Sequence, residues 1–169
     1  IVPIVEPEVL MDGDHDLTRS FEVTQHAQQT VFAALADQAV DLRGIVLKPS
    51  MVISGADAVD RAGIKEVAQQ TLRCLLSTVP AAVPGIAFLS GGQSDEEATQ
   101  HLNTMNEIGG SLPWAVTFSY GRALQAAAMK RWAGHSDNVE SARQVAFHRA
   151  QMNGAAALGQ YSSEMEKAA

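Results

Sequence analysis

The sequence predicts an α/β fold built on a parallel sheet, and two observations carry that prediction. Four short runs, residues 1–6, 45–48, 85–90 and 114–119, are β-branched or aromatic-rich and nearly continuous in apolar residues, as strands buried on both faces should be. Each is followed by a stretch of helical periodicity, and the unit recurs at intervals of roughly 30 to 45 residues, the pattern of right-handed β/α crossovers. Two architectures fit: a small doubly wound sheet, or half of a (β/α)8 barrel, which in full needs about 250 residues. No G-x-G-x-x-G follows the first run, which weighs against dinucleotide binding.

Taken in order, the first run (IVPIVE) contains Pro3, which removes a ladder donor and belongs at a strand start or edge. The first helix is expected over 17–40, with Phe21, His26 or Gln25, Gln28, Val31, Phe32 and Leu35 on one face, and with Ala33, Ala34 and Ala36 favouring helix. A second over 64–76 places Ile64, Val67, Ala68, Thr71, Leu72 and Leu75 together and stops before Pro80. Ser94 and Glu97 have capping-box spacing and open a third helix to about Met105. The fourth, 122–132, is alanine-rich and stops at Gly134. A last helix runs from about Val139 to Leu158, with Asp137 and Glu140 again at capping-box spacing. No fixed-period repeat or low-complexity linker interrupts the pattern, so residues 1–169 read as a single domain.

Composition narrows the function classes. Apolar residues make up 46% and charged residues 18%, a globular balance. The net charge of −7 argues against a nucleic-acid partner, although a small anion needs only a local field. No apolar stretch approaches the roughly 20 residues of a membrane span and no basic-then-apolar leader opens the chain, so no membrane partner is expected. The single cysteine, Cys74, allows no internal disulfide and fits a reducing, cytoplasmic location; flanked by Leu72, Leu75 and Leu76, it reads as a core thiol. The chain begins without Met, inside a predicted strand, and so reads as a piece of something larger.

The carboxyl ends of the strands hold the chemistry, because ligands bind at that edge of parallel α/β proteins. Lys48 is one of four lysines and the only one that closes an apolar run, Ile45-Val46-Leu47. Desolvation there favours a neutral amine able to attack a carbonyl; the competing reading is a lysine that reaches solvent or pairs with Glu6. Glu6 and Glu8 are two apart and share a face if the segment stays extended past Pro7, which would set both carboxylates near Lys48 as proton donors and acceptors. Ser90-Gly91-Gly92-Gln93 and Ser119-Tyr120-Gly121-Arg122 offer hydroxyls, backbone N–H groups, a guanidinium and a helix N-terminus, the parts of an anion site.

Other candidates are weaker. His15, His26, His101, His135 and His148 show no HxxxH, HExxH or HxH spacing, and the Asp12-Gly13-Asp14-His15-Asp16 stretch lacks the remaining ligands of a calcium loop and reads as a solvated turn. Trp114, Trp132 and Phe147 read as packing residues.

In combination these strand ends resemble the class I (Schiff-base) fructose-bisphosphate aldolases. The segments that carry the resemblance are VPIVEPE (2–8), DGDHDL (12–17), LKPSMV (47–52), FLSGGQS (88–94) and WAVTFSYGRAL (114–124), in family order and with family-like spacing over nearly the whole chain. The resemblance implies a (β/α)8 TIM barrel, of which this chain holds about the last four β/α units, a half barrel, plus C-terminal helices. It implies reversible cleavage of fructose 1,6-bisphosphate to dihydroxyacetone phosphate and glyceraldehyde 3-phosphate. Lys48 is the implied Schiff-base lysine, Glu6 the acid/base and Glu8 its neighbouring carboxylate. Ser90, Gly91, Ser119, Gly121 and Arg122 are the implied binders of a substrate phosphate. No metal or other cofactor is implied, since the iminium itself is the electron sink.

The chain departs from the family at three places. Arg43-Gly44 stands where Glu-Gly is usual, Val46 replaces a common Leu or Ser, and the tail Glu166-Lys167-Ala168-Ala169 lacks the long extension ending in tyrosine of animal members. The aspartate, lysines and arginine that family members hold on strands one to four have no counterpart here. Little turnover is therefore expected of this chain alone, and a homo-oligomer or pairing with an N-terminal half is the expected assembly. A non-catalytic sugar-phosphate binding scaffold and a different Schiff-base lyase are the rival readings.

Overall fold

The computed structural model describes residues 1–168; Ala169 lies outside them. Four strands form, β1 (Ile4–Val5), β2 (Val46–Leu47), β3 (Gly85–Phe88) and β4 (Ala115–Phe118), all parallel to their neighbours and ordered in space as they are in the chain. That order decides between the two predicted architectures. A doubly wound sheet reverses strand order at a switch point and carries helices on both faces. An unbroken run of right-handed crossovers sets every helix on one face, as in four consecutive units of a (β/α)8 barrel.

Five helices follow, α1 (Leu17–Asp37), α2 (Ile64–Thr78), α3 (Asp95–Ile108), α4 (Arg122–Trp132) and α5 (Val139–Ala156), with 3-10 turns at Leu42–Gly44, Ser136–Asn138 and Ser163–Ala168. Consecutive helices from α1 to α4 pack side by side, and α5 lies on α3 and α4. Register pairs Val5 with Leu47, Leu47 with Ile86, Ile86 with Val116 and Phe88 with Phe118, so these residues share the face turned to the helices. Leu47, Ile86 and Phe88 are fully buried there against Val67, Leu72, Leu102 and Met105. By alternation Ile4, Val46, Ala87 and Thr117 occupy the other face, where Ile4 is 59% exposed. Burial of the strands on both faces is thus not found: four strands close no barrel, so no opposite wall covers the second face. The strands are also shorter than the apolar runs. β1 has a neighbour on one side only, and Pro3 contributes just its carbonyl, which accepts from the Val46 N–H at 3.0 Å.

The helices follow the sequence with instructive exceptions. The α2 face is as expected, and burial pushes the Cys74 thiol up to about 11, the behaviour of a core residue. The buried face of α1 is instead half polar, Leu17, Ser20, Thr24, Gln28 and Phe32, while His26 is exposed. At α3 only half of the capping box forms: Ser94 Oγ accepts from the Glu97 N–H at 3.1 Å, but the Glu97 carboxylate pairs with Arg61 at 3.1 Å. The Asp137/Glu140 box does not form, because the 3-10 turn before α5 leads the chain into the helix with no side-chain cap. Trp114 is buried and its Nε1 donates to the Pro80 carbonyl at 3.0 Å, whereas Trp132 and Phe147 are exposed, contrary to their reading as packing residues. Among the described residues no helix is long and apolar enough to cross a membrane.

Buried charge fastens the C-terminal turn. Arg149, on α5, is 3% exposed; its Nη1 donates to both Glu166 oxygens at 2.6 Å and its Nη2 to Thr99 Oγ1 at 2.8 Å. His148 Nε2 lies 2.8 Å from Glu166, and the Tyr161 hydroxyl donates to the same carboxylate at 3.0 Å. Burial raises the Glu166 carboxyl, but hydrogen bonds from Arg149 and His148 outweigh it and hold the group below its ordinary range. Nothing in the sequence pattern marks Arg149 as buried.

Candidate active site

The ladder brings Lys48 and Glu6 together. The Lys48 N–H donates to the Val5 carbonyl at 2.8 Å, and both residues are one step beyond the Val5–Leu47 pair. One step reverses the face, so both side chains leave the helix-packed side and emerge on the open side. There Lys48 Nζ lies 2.9 Å from Glu6 Oε1, with the lysine side chain 22% exposed. The pairing that the sequence offered as an alternative to a free nucleophile is therefore present.

Glu8 is not part of that contact. Its N–H folds back to the Glu6 carbonyl at 3.0 Å across Pro7, which breaks the extended geometry that would have stacked the two glutamates. Glu8 is exposed and makes no ion pair among the described residues. Arg43, the departure ahead of the lysine, is neutralised locally: its hydrogen bonds hold Asp41 down at about 2, and the two form a 2.8 Å ion pair outside the site.

The loop after Lys48 is buried from Pro49 to Gly55 although it has no regular structure. Buried backbone donors need partners, and polar side chains supply them. Val52 N–H donates to Thr71 Oγ1 of α2 at 3.0 Å and Ile53 N–H to Ser20 Oγ of α1 at 3.2 Å, which accounts for the buried Ser20. Ser50 Oγ accepts from the Val9 N–H at 2.9 Å and ties this loop to the one after β1. The DGDHDL stretch is a turn with Asp12, Asp14 and Asp16 exposed, as read, and its backbone is tied to this loop: Gly55 N–H donates to the His15 carbonyl at 2.8 Å and Asp57 N–H to the Gly13 carbonyl at 2.9 Å. Among the described residues no group of His, Cys, Asp and Glu could hold a metal ion. A Cβ on Gly55 would lie 2.2 Å from the Gly13 carbonyl oxygen. Gly55→Ala should therefore destabilise the chain by about 1–3 kcal/mol, read as a lower urea midpoint at unchanged slope.

The loops after β3 and β4 start side by side, since Phe88 pairs with Phe118 and Ser119 N–H donates to the Phe88 carbonyl at 2.8 Å. Ser90 is buried; Gly91 and Gly92 follow in the left-handed region, at φ of +51° and +75°. The N–H groups of Gly91 and Gly121 have no acceptor among the described residues. Arg122 is exposed at the start of α4 and lines a groove of about 350 Å³ with Gln93, Ser94, Asp95 and Lys130. A larger depression, about 710 Å³, is lined by α4 and α5, holds Leu124, Met129, Trp132 and Ala146, and contains none of the strand-end residues.

Sequence reasoning missed Ser20; it placed Thr71 on the packed face of α2 and Ser50 and Gln93 in the strand-end loops without their hydrogen-bonding roles. Polar residues at i, i+4 and i+8 on α1 were the available signal for Ser20.

Comparison with known proteins identifies the family of this fold. The family description "Glycolytic: Fructose-bisphosphate aldolase class-I" matches residues 1–169. The chain is 52% identical over 95% of its length to a probable fructose-bisphosphate aldolase class 1 of Xanthomonas campestris, covering 48% of that protein, and 49% identical over 97% to fructose-bisphosphate aldolase 2 of Caenorhabditis elegans, covering 45%. A solved fructose-bisphosphate aldolase from Plasmodium falciparum, in complex with TRAP and a small molecule inhibitor, superposes with a TM-score of 0.93 at 47% identity, over 96% of this chain and 47% of that one. The chain spans about half the length of the relatives it matches. With a four-strand run of barrel order, a Lys–Glu pair at its strand ends and a family match along all 169 residues, the chain belongs to the class-I fructose-bisphosphate aldolases.

Proposed function

We propose that this chain supplies the Schiff-base half of a fructose 1,6-bisphosphate aldolase site, and the 2.9 Å contact between Lys48 Nζ and Glu6 Oε1 is the observation that carries the reading. Lys48, as the neutral amine, attacks the ketose carbonyl and forms a carbon–nitrogen bond. Glu6, now protonated, delivers its proton to the carbinolamine hydroxyl, which leaves as water and yields the iminium. Its positive nitrogen then draws the electron pair of the breaking carbon–carbon bond while the Glu6 carboxylate, ionised by the previous step, takes the C4 hydroxyl proton, which releases glyceraldehyde 3-phosphate and leaves the enamine of dihydroxyacetone phosphate. No metal is needed for that electron flow. Ser90, Gly91, Ser119, Gly121 and Arg122 hold one phosphate, and Glu8 stays outside the Lys48–Glu6 contact. A cytoplasmic location accords with the unpaired Cys74, and with a similar protein from Arabidopsis thaliana named as cytosolic, although one from Oryza sativa is named as chloroplastic.

Turnover needs more than this chain holds. The face that carries Lys48 is open, and β1 and β4 each present an unpaired edge. Ile4 is exposed on β1, so a complementary half barrel or a second copy of this chain is the partner such edges invite. Incubation with dihydroxyacetone phosphate, borohydride reduction and mass analysis of tryptic peptides tests the reading. A reduced adduct on the Lys48 peptide without cleavage of fructose 1,6-bisphosphate is expected. Absence of the adduct would leave a sugar-phosphate binding scaffold, and an adduct formed only with non-phosphorylated ketoses would point to another Schiff-base lyase.

A further inference from the structure

We infer that Gln93 and His101 are positioning residues that aim the Gly91 N–H at a substrate phosphate; the inference rests on the phosphate-binding reading of the Ser90 turn proposed above. Gln93 is 6% exposed, and its Nε2 donates to the Ser90 carbonyl at 2.9 Å and faces Met51 Sδ at 3.5 Å. Both neighbours are acceptors, so this end of the amide is the NH2 group. The Oε1 end then faces His101 Nδ1, which must carry the hydrogen between them.

His101, on α3, is 1% exposed, and burial with the nearby charge of Arg61 pulls its imidazole down to about 4. The neutral ring therefore has one serviceable tautomer. The other would set two lone pairs against each other and strand a buried N–H at Nε2, an atom with no partner among the described residues.

The Ser90 carbonyl and the Gly91 N–H belong to one planar trans peptide and point in opposite directions. The Gln93 N–H also donates to that carbonyl, at 3.1 Å, so two bonds from one residue fix the peptide plane. Fixing the carbonyl inward fixes the Gly91 N–H outward, where it meets no acceptor among the described residues. Glycines at φ of +51° and +75° would otherwise leave this turn free to rotate. The Met51 contact adds a second constraint, since Met51 is in the loop that follows Lys48. One amide thereby sets the phosphate turn relative to the nucleophile's own loop.

The test compares borohydride capture of dihydroxyacetone phosphate with that of dihydroxyacetone in the wild-type chain, Gln93→Leu, His101→Leu and His101→Asn, each checked for folding by circular dichroism. An asparagine amide nitrogen occupies the place of Nδ1, so His101→Asn keeps the donor. Gln93→Leu and His101→Leu should lower the preference for the phosphorylated ketone about tenfold, with capture of dihydroxyacetone little changed, and His101→Asn should retain the wild-type preference. Parallel loss of both ketones, an unchanged preference in both leucine variants, or a His101→Asn chain that behaves as His101→Leu would overturn the inference. A wild-type chain that captures the two ketones equally refutes the phosphate reading and the inference with it, and one that captures neither refutes the role of Lys48.

Discussion

Lys48→Met is expected to abolish covalent capture of dihydroxyacetone phosphate while the chain stays folded. Methionine fills a similar volume with an unbranched stem, and the Lys48 side chain is only 22% exposed, so packing changes little. The substitution unpairs Glu6, but that carboxylate is 42% exposed and water takes the place of the ammonium, at a cost of about 0–1 kcal/mol. The chemistry has no such substitute. Lys65 and Lys167 stand on a helix and in the tail, and Lys130, on α4, borders the Arg122 groove and not the Glu6 contact. Lys48→Arg separates charge from nucleophilicity: it keeps a cation beside Glu6 and should be equally inert. Glu6→Gln leaves the amine but removes the proton donor, and capture should slow by about 10²–10⁴-fold. Peptide mass mapping after reduction reads all three. A full-strength adduct on another lysine in Lys48→Met would end the Schiff-base assignment.

Arg149→Met should give the largest loss of stability, about 3–5 kcal/mol, because it leaves Glu166 buried without its guanidinium partner. The Glu166 side chain is 13% exposed, and only Tyr161 and His148 would remain to it. A loss of this size lowers the melting temperature by about 10 °C in a chain of this length. Arg149→Met combined with Glu166→Gln should recover part of it, because no buried charge then lacks a partner. The pH dependence follows from the depressed Glu166 carboxyl. Its stabilisation is present above the unfolded value near 4.5 and is lost as pH falls through the lower folded value. The stability gap between the wild type and Glu166→Gln should therefore be full at pH 7 and shrink below about pH 4. A gap that is constant from pH 7 to pH 3 would remove Glu166 from the account.

Both predictions concern residues whose neighbours are far away in the sequence, and that distance divides what was legible from what was not. The α2 face and the 122–132 helix were readable because helical periodicity is local. Lys48 was readable because it alone closes an apolar run, and its pairing with Glu6 because strands that follow one another in such units are neighbours. The capping boxes were misleading in proportion to their context. Ser94 caps as expected, but Glu97 found Arg61 from another loop, and Asp137 was bypassed by a 3-10 turn. The extended Glu6–Glu8 pair failed at Pro7, where a three-residue turn closed by the Glu8 N–H on the Glu6 carbonyl replaces the period of two.

By itself the sequence determined the alternation of strands and helices, the strand ends at which chemistry collects, and the family resemblance those ends carry. Each is a property of short segments, written in periodicity, turn residues and motif order. Only the tertiary structure decided that the four strands run in barrel order with one face open, that Lys48 touches Glu6 and not Glu8, and that Arg149 is buried against Glu166. The same holds for Gln93, which unites the loop after Lys48 with the phosphate turn. The physical reason is common to all four. Burial and long-range hydrogen bonding depend on which segments meet, and a polar side chain becomes a structural partner only when a distant backbone group arrives without one of its own.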